Sequence, residues 1–86
     1  MAKINSHQIV CAEVVRRLRQ ERLRRKLSCY AVSQRSGVSQ SMLSLVERGL
    51  RNPTLELLLR IADGIEIDLS AVLKQAQMAT SKSKNK

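Results

Sequence analysis

The apolar positions of this chain fall into five blocks with the i, i+3, i+4 recurrence of helices, not the alternation of strands. The first block runs from Ser6 or His7 to Lys26, with Ile9, Val14, Leu18 and Leu23 read as its apolar stripe. Ser28 can cap a second, short helix, because its hydroxyl can accept from a free N–H of the first turn. That helix reaches Ser36, and Gly37 suits the left-handed residue that ends it. Ser39 caps a third helix through Arg48, which Gly49 closes. After the turn Leu50-Arg51-Asn52-Pro53, Thr54 caps a fourth helix in which Leu55, Leu58, Ile61, Ala62 and Ile65 keep the helical period. Asp68 caps a fifth, from Leu69 to about Gln77. The pattern divides the chain into an arm at 1–6, one domain at 7–79 and a basic tail at 80–86. The tail has no apolar residue and is expected to be solvated and disordered.

Composition sharpens this to a small all-α domain. The 86 residues suffice for one core. Hydrophobic residues make up 43%, nearly all aliphatic, with Tyr30 the sole aromatic. The formal charge of +9 attracts polyanions without choosing between DNA, RNA and an anionic membrane, and it argues against acidic roles such as calcium buffering. A membrane-surface role for the basic first helix lacks the Trp and Phe anchors such helices use. No apolar run approaches the ~20 residues of a membrane span, and the start Met1-Ala2-Lys3-Ile4-Asn5-Ser6 lacks a signal-peptide core, so a cytoplasmic location is expected.

Catalytic chemistry is not expected either. Cys11 and Cys29 lie 18 residues apart with no second pair, and His7 stands alone, so neither a disulfide framework nor a metal-ligand spacing is present. The acids Glu13, Glu21, Glu47, Glu56, Asp63, Glu66 and Asp68 are scattered, without a nucleophile or phosphate loop beside them. No metal or cofactor is expected.

Two short helices joined by Gly37-Val38-Ser39 form a helix-turn-helix pattern. Ser33 is read as small where the helices cross, and Gly37 supplies the positive φ of the tight turn. Val38, Leu43 and Val46 seat the third helix, which leaves Gln40, Ser41, Ser44, Leu45 and Arg48 facing outward. Short polar side chains with one Arg suit a helix entering a major groove: Gln pairs with adenine, Ser donates or accepts, and Leu meets a thymine methyl.

From Ser28 to Leu69 the chain resembles the Cro/C1-type (Xre) helix-turn-helix family, the fold of the lambdoid phage repressors. The matching pieces are Leu27-Ser28, Gly37-Val38-Ser39, Glu47-Arg48-Gly49, Arg51-Asn52-Pro53-Thr54-Leu55 and Ile61-Ala62, with Leu18, Arg19 and Arg22 before them. The resemblance implies a compact five-helix lambda-repressor-like domain with the helix-turn-helix at helices 2 and 3. It implies base reading by Gln40, Ser41, Ser44 and Leu45, and phosphate contact by Ser28, Ser39, Arg48, Arg51 and Asn52. Arg22 and Glu47 correspond to a buried salt bridge between the first and third helices. The implied activity is that of a repressor- or controller-type transcription regulator, binding a palindromic operator in double-stranded DNA as a homodimer. Family members of this size also serve as antitoxins that bind a partner toxin, which is the alternative function.

The chain departs from the family at several places. Cys29 replaces the Gln that usually follows the capping Ser, so that phosphate clamp is weaker here. Ala31 removes the acid of a capping box. Glu66 stands where a turn Gly is usual, so Gly64 is expected to end the fourth helix early, and Lys26 likewise replaces a helix-ending Gly.

Other residues keep two readings. The arginines of the first helix are read as a solvated charged face, with a DNA-binding arm as the other account. Leu45 is a thymine contact or a tolerated exposed apolar residue. Cys29 is an inert thiol or, at a helix N-terminus, a reactive one. Tyr30 reaches a phosphate or covers the core edge. Leu69, Val72 and Leu73 are assigned to a dimer contact on the fifth helix, the other reading being that they complete the monomer core.

Overall fold

A computed structural model describes residues 5–84, with side chains to 81. Over that span the chain forms five helices and no strand: α1 Ser6–Arg24, α2 Cys29–Ser36, α3 Gln40–Glu47, α4 Leu55–Ile65 and α5 Leu69–Lys84. The fold is the compact all-α architecture expected. Four N-caps have one chemistry. Asn5, Ser28, Ser39 and Thr54 have extended backbones, and their side chains accept from Gln8, Ala31, Met42 and Leu57 N–H respectively. At Asn5 the bond is reciprocal, since Gln8 Oε1 accepts from the Asn5 N–H at 3.0 Å.

The core is built from Val14, Leu18, Val32, Val38, Leu43, Val46, Ile61, Ala62, Ile65, Leu69, Val72 and Ala76. It gathers one face from every helix. The stripe of α1 differs from expectation. Val14, Leu18 and Arg22 are buried, whereas Ile9 and Leu23 are exposed. Steps of four keep one face of a helix, but the five residues from Ile9 to Val14 and from Leu18 to Leu23 turn the side chain away. Leu55, in the first turn of α4, is also exposed.

Leu69 and Val72, expected at a subunit contact, are buried within the chain, and only Leu73 of that trio is exposed. The reason is α1. Helix α5 runs antiparallel along it, with Arg17 Nη1 donating to Gln75 Oε1 at 3.4 Å, and Ile9 and Val10 near Gln77 and Met78 at the far end. Residues 80–84, expected in a disordered tail, continue α5. Ala76 is fully buried against the long α1, and Thr80 Oγ1 donates back to the Ala76 carbonyl at 3.0 Å. Residues 1–4 of the expected arm and 85–86 of the tail lie outside the described residues; Ser6 is already helical.

Two helix ends depart from the glycine rule. Helix α4 does not stop at Gly64 but continues to Ile65, and Glu66 takes the left-handed conformation at φ 68°. Gly64 is reserved for packing. A Cβ there would lie 3.1 Å from Ser36 Cβ and 3.2 Å from the Val32 carbonyl oxygen, so α2 approaches α4 at its backbone. The close approach of α2 to α4 is thus at Val32 and Ser36, while Ser33, read from the sequence as small for the crossing with α3, is half-buried. Lys26 is left-handed in the same way at φ 57°, after α1. Arg25 ties the two ends together, its Nη1 donating to the Ile65 carbonyl at 2.7 Å.

Candidate nucleic-acid interface

The turn between α2 and α3 is held from inside. Gly37 has φ 77°, and its N–H donates to the Ser33 carbonyl at 3.0 Å. The buried Ser36 Oγ accepts from the Val38 N–H at 3.1 Å, and Val38 drops into the core. With Leu43 and Val46 also buried, the orientation of α3 is set by three apolar anchors. Opposite them, Ser41, Ser44, Leu45 and Arg48 form the i, i+3, i+4, i+7 face, and Gln40 opens the first turn. Gln40, Ser41 and Arg48 are exposed, while Ser44 and Leu45 are half-buried.

The far end of α3 is closed by backbone bonds from Gly49 N–H to Val46 O at 3.1 Å and Leu50 N–H to Leu45 O at 2.9 Å. Gly49, at φ 75°, turns the chain so that Arg51 and Asn52 are exposed beside α3. On the other flank, Ser28 and Tyr30 are exposed at the start of α2, and the Ser28 Oγ accepts from Ala31 N–H at 3.0 Å.

Arg22 and Glu47 hold α1 to α3. Arg22 Nε donates to Glu47 Oε2 at 2.7 Å and Nη2 to Oε1 at 2.9 Å, and Nη1 reaches the Leu27 carbonyl at 2.8 Å. The carboxylate bonds raise the affinity of Arg22 for its proton above the ordinary guanidinium value. Arg22 is thus withdrawn from the basic surface.

The same α1 contributes a cleft that the sequence reading left unassigned. Gln8, Cys11, Ala12, Val15, Arg16 and Arg19 face Val46, Glu47, Arg48, Gly49 and Arg51–Pro53 across a space of about 450 Å³. Cys11 Sγ lies 3.9 Å from Asn52 Oδ1, which ties α1 to the turn after α3. The 8, 12, 15/16, 19 recurrence could have marked this face, but only the fold shows what it meets.

These features define a helix-turn-helix protein whose outward helix ends beside the cations Arg48 and Arg51. The profile of the helix-turn-helix family matches residues 18–72, close to two thirds of the chain. The chain belongs to the Cro/C1-type (Xre) branch of that family, and with it to the DNA-binding regulators of transcription. A search among curated proteins finds no match. No helix of the described residues is long and apolar enough to cross a membrane.

Proposed function

We propose that this protein is a sequence-specific regulator of the repressor or controller type, occupying a palindromic operator as a homodimer. The observation that carries the reading is the outward face of α3, where short polar side chains stand opposite three buried anchors. Such a face enters a major groove without steric conflict. In this reading Gln40, Ser41, Ser44 and Leu45 meet base edges. Ser28, Ser39, Arg48, Arg51 and Asn52 meet phosphates on either side. Because Ser28 and Ser39 already accept a backbone N–H, their hydroxyl hydrogens remain to donate to phosphate oxygen.

Selection of bound duplexes from a random pool tests this directly. The expected product is a symmetric site with half-sites about one helical turn apart. Gln40→Ala or Ser44→Ala then broadens the selected sequence, whereas Arg51→Ala weakens selected and random DNA alike. A pool that shows no enrichment over random DNA would overturn the proposal.

A further inference from the structure

Resting on that DNA-binding reading, we infer that the cleft between α1 and the α3–α4 turn is a second phosphate grip, in which Arg16 and Arg19 hold the DNA backbone beside Arg48 and Arg51. The first ground is placement. Four arginines from two segments far apart in sequence line one open cleft, against the single carboxylate of Glu47. Two of them, Arg48 and Arg51, have no carboxylate partner within 4.0 Å among the described residues.

The second ground is how the carboxylates that pair with the α1 arginines are shared. Glu47 is bonded twice by Arg22, whose side chain is 10% exposed, and lies only 3.6 Å from Arg19, which is 53% exposed. Glu13 takes Arg17, 28% exposed, at 2.7 Å, and also Arg16, 53% exposed, at 2.6 Å. In each set the more exposed guanidinium is half in water; Arg16 bonds both Glu13 oxygens, at 3.0 and 2.6 Å, and Arg17 bonds one of them from a less exposed position. Arg16 and Arg19 can therefore turn to a phosphate while Arg17 and Arg22 keep both carboxylates paired. No buried charge is stranded by the exchange. Arg16 and Arg19 stand one turn apart on α1. The ligand class is the DNA phosphodiester, because the cleft continues from the turn carrying Arg51 and Asn52.

The test compares Arg16→Ala, Arg19→Ala and Arg24→Ala, three variants of equal charge. Arg24 is 66% exposed and bonded to Glu21, outside the cleft. Affinity of each full-length variant for the selected duplex is measured over a range of salt concentrations, with random duplex as competitor. Each phosphate contact contributes about 0.9 to the slope of log affinity against log salt. Arg16→Ala and Arg19→Ala should each lower the slope by about that amount relative to Arg24→Ala, with the preference for selected over random DNA unchanged. Equal slopes in all three variants would overturn the grip while leaving the α3 reading intact. Absence of any preference in the unaltered protein would instead remove the reading on which the grip rests.

Discussion

At the scale of single residues, the Arg22–Glu47 pair shows why a charge can belong to a core. Its side chains are 10% and 11% exposed, and the guanidinium satisfies both carboxylate oxygens and a backbone carbonyl. Removing one partner leaves the other charge without compensation, so Glu47→Ala should cost about 3–5 kcal/mol in urea unfolding. Replacing both with apolar residues of similar volume should recover much of that loss. A second residue-scale effect concerns acid. Arg16 above all, with Arg17, lowers the Glu13 carboxyl below its ordinary value, and Arg24, with Arg25, does the same for Glu21. A group depressed in the folded state contributes stability above its unfolded pKa, about 4.3 for Glu, and loses it as pH falls through the folded value. Thermal unfolding should therefore shift downward as pH drops below about 4, and Glu13→Gln should make that part of the decline shallower.

Among the helices, the C-terminal end of α4 tests the competition between local conformation and packing. Glu66 sits in the left-handed region, which costs a non-glycine residue about 1–2 kcal/mol; glycine's greater freedom when unfolded returns roughly 0.5–1 of that. Glu66→Gly should thus raise stability by about 0.5–1 kcal/mol, since its exposed contact with Arg35 at 3.9 Å adds little. Gly64→Ala should act in the opposite direction. Helix propensity favours the alanine by about 1 kcal/mol, but the new methyl would press on the backbone carbonyl of Val32, which cannot yield without moving α2. A net loss of about 1–2 kcal/mol is expected by chemical denaturation.

For the whole molecule, the question is what joins two copies. With Leu69 and Val72 committed to the monomer core, the proposed two-fold contact retains Leu73 from the original trio. Leu73→Glu should halve the mass seen by sedimentation while leaving the helical circular dichroism unchanged, because the side chain lies at the edge of the core. An unchanged mass would place the contact elsewhere. The basic surface is likewise a property of the assembled molecule: Glu13, Glu21 and Glu47 are each shared by two arginines, which leaves α1 cationic despite its ion pairs.

By itself the sequence determined the five helices, most of their caps and the turn at Gly37, because each depends on residues a few positions apart. Ser28, Ser39 and Thr54 each needed only a nearby N–H, and Val38, Leu43 and Val46 needed only the helical period to mark the buried side of α3. Tertiary structure decided what depends on a distant neighbour. Gly64 is a packing site only because α2 lies against it. Leu69 and Val72 are core only because α5 folds back onto the other helices, with α1 alongside Val72. Arg16 and Arg19 become part of a cleft only because the turn after α3 folds back across α1. Periodicity gives each side chain a direction, but what lies in that direction is set by long-range packing.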